Sequence, residues 1–185
     1  GARAAYARAL AIAEAAGGRD HPDVAMVLDK LAGLELVEHH EDRAIPLLER
    51  ARAIYERSHG DTPALADVLA TLGLAHELLN QRDRALVAYR QSLAIRERVF
   101  GPDHYTVGVA LQGIANTLVD ARRPAEAIPI AERSLQLFER ALDQRYMAAV
   151  SRFMLGRALY LANHDRPRAL ALVRQARDEF AAAPN

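Results

Sequence analysis

The sequence predicts an all-α protein, a stack of antiparallel helical hairpins with about nine helices and no strand. Three observations predict it. First, one stretch recurs down the chain. Leu31 to Ile54 reads LAGLELVEHHEDRAIPLLERARAI, Leu72 to Ile95 and Ile114 to Leu137 repeat its pattern, and a fourth copy begins at Leu155. The alanine that follows each turn (Ala44, Ala85, Ala127, Ala169) recurs at steps of 41, 42 and 42 residues. A fixed period of this size marks a repeat array in which each copy buries its apolar face on the next. Second, 51% of the residues are apolar, with no Trp and only 5% aromatics, so Ala and Leu dominate. Together with Arg and Glu these are the strongest helix formers, whereas strands favour β-branched and aromatic residues. Third, Gly- and Pro-containing clusters at Gly17-Gly18, His21-Pro22, Gly60 to Pro63 and Gly101 to His104 interrupt the chain at the repeat spacing.

Each element follows in order. Ala2 to Ala15 is a helix, with Tyr6, Ala9, Leu10 and Ala13 at helical intervals, ended by Gly17-Gly18. Ala9 and Ile12 match Ala51 and Ile54, so this is the second helix of a hairpin, and the chain reads as a fragment excised from a longer protein. Asp20-His21-Pro22 opens the first A helix, because proline in the first turn costs no hydrogen bond; that helix runs to about Glu38. His39 to Asp42 forms the turn, and B1 runs to about His59. Thr62 caps A2 with Pro63 as its first residue. A2 and B2 extend to about Leu79 and Phe100. Gly101-Pro102-Asp103-His104 resets the pattern for A3, which ends near Ala121. His21 and His104 stand at equivalent entrances, where they act as caps. B3 starts at Arg122-Arg123-Pro124 and ends near Leu142; A4 spans Gln144 to Ala162. Asp165-Arg166-Pro167 opens B4, which ends before Pro184. Pro46 and Pro129 both fall two residues after the recurring alanine, in the opening turn of a B helix where proline does least harm. Ala32 with Ala44, Gly73 with Ala85, and Ala115 with Ala127 are each 12 apart, small pairs that let the two helices of one hairpin approach closely.

The composition excludes several functions. Lys plus Arg and Asp plus Glu balance at 24 each, against the basic excess of a nucleic-acid binder or a polybasic membrane surface. No cysteine is present, so there is no disulfide frame or thiolate chemistry, which fits a reducing, cytoplasmic setting. No apolar run is long enough to span a membrane. The phosphate loop GxxxxGK[ST] and the nucleophile elbow GxSxG are both missing. His39-His40-Glu41-Asp42 is the most ligand-like string, but adjacent helical residues point about 100° apart, whereas a zinc pair needs i and i+4 spacing. It reads as a solvated turn, and Glu35 with Glu38 as surface acids. No enzyme activity, metal or cofactor is expected.

Leu72, Gly73, Ala85 and Ser92, with their counterparts Leu31, Ala32, Ala44, Ala51; Ile114, Ala115, Ala127, Ser134; and Leu155, Gly156, Ala169, Ala176, resemble the pattern of the tetratricopeptide repeat (TPR) family. The longer period, the linker Gly101 to His104 and the stretches Arg8 to Ile12 and Ser92 to Arg98 resemble its kinesin-light-chain subtype. The resemblance covers essentially the whole chain. It implies one right-handed TPR-like α-solenoid over residues 1–185, divided as a half repeat 1–18 and repeats 19–60, 61–101, 102–143 and 144–185. It departs from the family where the consensus tyrosine is replaced by Glu35, His76 and Leu118. The fourth repeat carries one extra residue between Gly156 and Ala169, which leaves the phase of its A helix open.

The resemblance also implies a non-catalytic scaffold for protein–protein interaction, within a larger bacterial signalling protein such as a Ser/Thr kinase. A peptide-sensing module of a fused ATPase or CHAT-type protease is the alternative. A helices of this family line a concave groove, which places Asp29, Lys30, Asp67, Thr71, Glu77, Gln112, Asn116, Asp120, Arg157 and Tyr160 there. Acids dominate its first half, and Arg157 with Tyr160 mark the last repeat. The groove is expected to take a peptide through backbone contacts from Gln112 and Asn116. Asp29, Gly33, Ala70, Leu74, Gln112 and Asn116 occupy the positions of the family's two-carboxylate clamp, so that peptide type is not expected. A second expectation is an oligomerisation module, a homodimer through exposed Tyr6, Leu10 and Ile12 of the first helix.

Overall fold

Each repeat folds because two apolar stripes at helical spacing meet across a short turn. A computed structural model describes residues 1–58 and 60–182. The described residues form α-helices only: α1 Ala2–Gly17, α2 Pro22–Val37, α3 Glu41–Ser58, α4 Pro63–Leu78, α5 Arg82–Phe100, α6 Tyr105–Asp120, α7 Pro124–Arg140, α8 Arg145–Leu161 and α9 Arg166–Ala182. The expected stops at about His59 and before Pro184 lie outside the described residues. The contacts divide the chain into two compact units, Gly1–Ile95 and Arg96–Asn185. In the first, α2 packs on α1, α3 and α4; in the second, α6 pairs with α7, α8 with α9, and α8 rests on both α6 and α7.

The caps fall where the sequence places them. His21 Nδ1 accepts from the Asp23 amide at 3.2 Å, His104 Nδ1 from Thr106 at 3.3 Å, and Thr62 Oγ1 from Leu65 at 3.2 Å. Each satisfies one of the four orphan amides at a helix start. The turns inside the hairpins share one device. His39, Asn80, Arg122 and Asn163 all have positive φ, and they recur at steps of 41, 42 and 41 residues. After each, an amide reaches back five residues: His40 to the Glu35 carbonyl, Gln81 to His76, Arg123 to Leu118 and His164 to Leu159, at 2.8–3.0 Å. This is the Schellman closure of a helix end. The extra residue of the fourth repeat is absorbed here, where Asp165 adds a second positive φ. Gly156 and Ala169 therefore stay buried and in phase.

Three expectations need correction. Glu41 and Asp42 are not turn residues; they form the acidic first turn of α3, favoured by the helix dipole. Gly17 belongs to α1, and Gly18 with φ 84 ends it. Pro46 and Pro129 lie inside α3 and α7 rather than in their opening turns. Both helices start three residues before the recurring alanine, which puts each proline in the second turn, on an exposed face.

In the first unit Val24, Leu28, Leu48, Ile54, Val68, Leu69 and Leu72 form the core. In the second, Val107, Leu111, Ile114, Leu135, Leu137, Phe138, Leu155 and Leu159 do so. Glycine appears where a large neighbour needs its space. A methyl on Gly73 would lie 2.7 Å from the Tyr89 ring, and one on Gly108 2.6 Å from Phe138. Buried serines fasten hairpins: Ser92 Oγ donates to the Ala66 carbonyl at 2.7 Å and Ser134 Oγ to the Gly108 carbonyl at 3.0 Å. Successive B helices are tied by arginines. Arg50 reaches Glu14 at 2.6 Å and the Arg19 carbonyl at 3.0 Å. Arg133 repeats this on Glu97 at 2.7 Å and the Pro102 carbonyl at 3.0 Å.

The fourth repeat breaks the apolar pattern in a compensated way. Leu28, Leu69 and Leu111 are buried, and the next position in the series is Arg152; Ile54, Ile95 and Leu137 are buried, and the next is Glu179. Arg152 is 6% exposed. Its guanidinium bonds Glu179, and Glu139 at 2.6 Å. An apolar core pair has become an ion pair, and the buried Arg152 charge must then be matched.

Candidate functional site

A surface helix shows side chains at i, i+4, i+7 and i+11 on one face. On α2 that row is Met26, Lys30, Gly33 and Val37; on α4 it is Asp67, Thr71, Leu74 and Leu78, all exposed or half-buried. The same positions on α6 are Val109, Gly113, Asn116 and Asp120. On α8 three of them are Val150, Arg157 and Leu161, while Met154 turns inward. Met26, Val37, Leu74 and Leu78 are large apolar side chains left in solvent, as are Phe153 and Tyr160 on α8. Exposed apolar groups gathered this way mark interaction surfaces.

The ten residues singled out from the sequence fare differently. In the first unit, Lys30 donates to Asp29 at 3.1 Å, which raises the ammonium pKa by that bond and by the Asp29 charge. Asp67 is exposed, and Thr71 Oγ1 donates to the Asp67 carbonyl at 3.0 Å, within its own helix. Burial pushes the Tyr55 phenol up, and the charges of Asp29, Asp23 and Asp67 add to it. Glu77 faces its own hairpin and accepts the Tyr89 hydroxyl at 2.9 Å. Burial, with Glu77 adding, raises the Tyr89 pKa strongly.

In the second unit the structure brings Asn116, Asp120 and Arg157 together. Arg157 donates to Asn116 Oδ1 at 3.0 Å and Asp120 Oδ1 at 2.6 Å, bridging α6 and α8. Tyr160 is exposed, and the Arg166 guanidinium lies 5.3 Å from its ring centroid. Gln112 does not offer its amide to a peptide. It is 8% exposed, and its Nε2 donates to the Met147 carbonyl at 2.9 Å and Ser151 Oγ at 2.8 Å. Ser151 lies 2.9 Å from Ser134, so Gln112 completes a buried polar network joining α6, α7 and α8. A half-satisfied network would cost more than an apolar one, which explains why the glutamine points inward.

The one group of metal-capable side chains among the described residues is Glu35, Glu38 and His40, not the HHED string. Glu35 is buried rather than a surface acid. Arg3 of α1 already holds this corner: it bonds Glu35 at 3.0 Å and also Glu38, and its Nη2 lies 3.5 Å from His40. The cluster is an ion-paired seam between α1 and the α2–α3 turn. In the first helix Ile12 is 69% exposed, while Tyr6 is half-buried and Leu10 packs on the core.

Sequence reasoning missed the apolar members of the rows, because a leucine on a helix reads as core. The usable signal was register. Carrying the row from α2 to α4 by 41 residues aligns Gly33 with Leu74 and Val37 with Leu78, on a face that the repeat does not bury. A cavity of about 650 Å³ lined by Phe138, Leu142, Tyr146, Ala149 and Arg152 was also not foreseen. Equivalent residues show how this region differs from the third repeat. Gly108 lets Phe138 nest at 1% exposure, whereas Ala149 faces the position of Phe180, which is 36% exposed. Phe180 instead lies 5.6 Å from Tyr146.

The family described as Tetratricopeptide repeat matches residues 37–98 and 83–140. Two Arabidopsis thaliana proteins, KINESIN LIGHT CHAIN-RELATED 1 and KINESIN LIGHT CHAIN-RELATED 3, are 28% and 30% identical over 69% and 66% of this chain. The chain spans only 23% and 19% of their lengths. Among solved structures, BtubC (BKLC) from P. vanneervenii is similar over 100% of this chain and 75% of its own, with a TM-score of 0.88 at 21% identity. A Podosopora anserina kinesin light chain with nearly identical TPR-like repeats is similar over 97% of this chain and 86% of its own, with a TM-score of 0.78 at 20% identity. No helix among the described residues is long and apolar enough to cross a membrane.

Proposed function

Because the chain belongs to the tetratricopeptide repeat family and carries repeats like those of kinesin light chains, we propose that it is a protein-interaction scaffold whose A-helix faces hold a peptide or partner protein. The family's fold, an all-α TPR-like solenoid, is in general non-catalytic and serves interaction. The observation that carries the proposal is the pair of apolar rows on α2 and α4, where Met26, Val37, Leu74 and Leu78 stay exposed although the same helices bury Val24, Leu28, Leu69 and Leu72. Residues Asp29, Lys30, Asp67 and Thr71 in the first unit, and Asn116, Asp120, Arg157 and Tyr160 in the second, surround such rows. Gln112 and Glu77 act by holding their helices in place.

A random-peptide display selection on the chain tests this. Each selected peptide should lose binding to Leu74→Asp or to Phe153→Asp, according to the unit it occupies, and keep it for Val87→Asp, whose residue is exposed on the B helix α5. Peptides that bind all three variants alike would refute the proposal.

The reading extends to one array over residues 1–185 that serves as the cytoplasmic interaction module of a larger bacterial signalling protein, such as a Ser/Thr kinase. Native sequence adjoining residue 1 that encodes a kinase, ATPase or protease motif would identify the setting; adjoining sequence with none of these would remove it. A second reading, self-association through α1, is favoured by the exposure of Ile12. Light scattering of Ile12→Asp against the parent should show a dimer converted to monomer, and identical masses for the two would rule it out.

A further inference from the structure

The two units differ in the charge of their A helices. Helices α2 and α4 carry Asp23, Asp29, Glu35, Asp67 and Glu77 against Lys30 as their only Lys or Arg. Helices α6 and α8 carry Asp120 against Arg145, Arg152 and Arg157. The first unit's pair therefore sums to −4 and the second's to +2. Part of this charge is matched inside the fold, since Arg3 holds Glu35 at 3.0 Å and Lys30 holds Asp29 at 3.1 Å. What matters for a partner is the exposed face, and there the acids gather beside apolar side chains. Asp23 stands exposed in the first turn of α2 and Asp67 opens the exposed row of α4, while Asp29 is mostly buried and held by Lys30. Along the same two rows run Met26 and Val37 on α2 and Leu74 and Leu78 on α4, between 42% and 77% exposed. α2 and α4 pack against each other, so the rows form one surface.

We propose that the α2–α4 face binds an amphipathic segment whose large apolar side chains seat on Met26, Leu74 and Leu78 and whose Lys or Arg residues meet Asp23 and Asp67. This rests on the scaffold reading and narrows it to a partner chemistry. Two physical terms combine. Covering the exposed methyl and thioether groups supplies apolar burial, and complementary charge selects the partner and speeds encounter more than it adds affinity. An acidic segment meets like charge on this face, which disfavours it.

The test uses the full chain and two fluorescein-labelled 16-residue helical peptides. Both carry Leu at positions 3, 7, 10 and 14; one has Arg on the flanking positions and its twin has Glu there. Fluorescence anisotropy at low salt should show the Arg peptide binding on the order of tenfold tighter than the Glu twin. That preference should shrink at 0.5 M salt, where the Debye length falls to a few ångströms. Asp67→Lys should abolish the preference, Leu74→Ser should weaken both peptides, and Arg177→Glu, at an exposed residue of the B helix α9, should change neither. Circular dichroism of each variant confirms that these surface changes leave the helices intact. If the Glu twin binds as well or better, or if Asp67→Lys leaves the preference standing, the proposed partner chemistry is wrong while the scaffold reading stands. If neither peptide binds, the proposal also fails, and the display selection decides the scaffold reading separately.

Discussion

Replacing Gly73 by alanine should destabilise the protein, although the same change at Gly33 should stabilise it. Both glycines lie inside A helices, where alanine gains about 1 kcal/mol through propensity alone. A methyl on Gly33 meets nothing within 4 Å, so Gly33→Ala should keep that gain. A methyl on Gly73 meets three Tyr89 ring atoms at 2.7, 2.8 and 2.9 Å, well inside ordinary contact. Tyr89 is buried and its hydroxyl is held by Glu77, so the ring has little room to retreat. Overpacking of this kind costs about 1–3 kcal/mol, and the net change is a loss of up to about 2 kcal/mol. The first repeat shows the remedy, because the equivalent positions there are Ala32 and Leu48, both fully buried. In a Tyr89→Leu background Gly73→Ala should therefore cost nothing, giving a coupling of about 1–3 kcal/mol in a double-mutant cycle. Urea unfolding followed by circular dichroism at 222 nm measures all four proteins and Gly33→Ala. If Gly73→Ala is as stabilising as Gly33→Ala, or if the cycle shows no coupling, the size matching between paired helices is wrong.

Other expectations follow from the same structure. Ala85→Leu should open the second hairpin and cost about 1–3 kcal/mol, since Ala85 is fully buried; an unchanged urea midpoint would contradict this. Arg152→Leu combined with Glu179→Leu restores the apolar pair of the other repeats and should raise stability by about 1–4 kcal/mol, while Arg152→Leu alone should lower it; thermal melts of the three chains decide. His104→Ala should cost about 0.5–2 kcal/mol through the lost cap, and His104→Asn should recover most of it, read from the same melts. Tyr89 adds an alkaline term. Its folded pKa is raised above the unfolded value of about 10, so its contribution is fully present below pH 10 and is lost as pH rises through the folded value. Stability should fall by up to about 1.4 kcal/mol per pH unit above pH 10. Tyr89→Phe should make that slope shallower by about this amount in denaturant midpoints measured from pH 9 to 11; an identical slope would refute the assignment.

Much of the fold was legible because the period sets both helices of every hairpin at once. Once Ala44, Ala85, Ala127 and Ala169 are aligned, the helix starts at His21-Pro22, Thr62-Pro63 and His104 follow from capping chemistry alone. The turns were less legible. Asn80 and Asn163 suit positive φ, but His39 and Arg122 adopt it too, and nothing in their side chains announces it. Their conformation is imposed by the five-residue closure of the preceding helix. Pro46 and Pro129 were placed one turn early for a related reason, because the helix begins as soon as the closure ends.

The site was legible in part. Asp29, Lys30, Asp67, Asn116, Asp120, Arg157 and Tyr160 were picked for polarity and register; the helices leave Lys30, Asp67 and Tyr160 exposed, and Asp29, Asn116, Asp120 and Arg157 half-buried. Gln112 and Glu77 were picked on the same grounds but turn to partners in the fold: Met147 and Ser151 for one, Tyr89 for the other. Side-chain reach decided this, since a long amide or carboxylate can bond across the hairpin or to the next A helix, and helical spacing cannot register that. The exposed apolar rows were hidden by the opposite bias, which assigns every helical leucine to a core.

The most direct test of the account is a methyl NMR map of the chain titrated with the arginine-rich leucine peptide. Shifts confined to the methyl groups of Met26, Val37, Leu74 and Leu78, with Ile45 of α3 and Val87 of α5 unmoved, are the result expected if the A-helix face is the working surface. Shifts concentrated on Ile45 and Val87, with the α2 and α4 methyl groups silent, would contradict it.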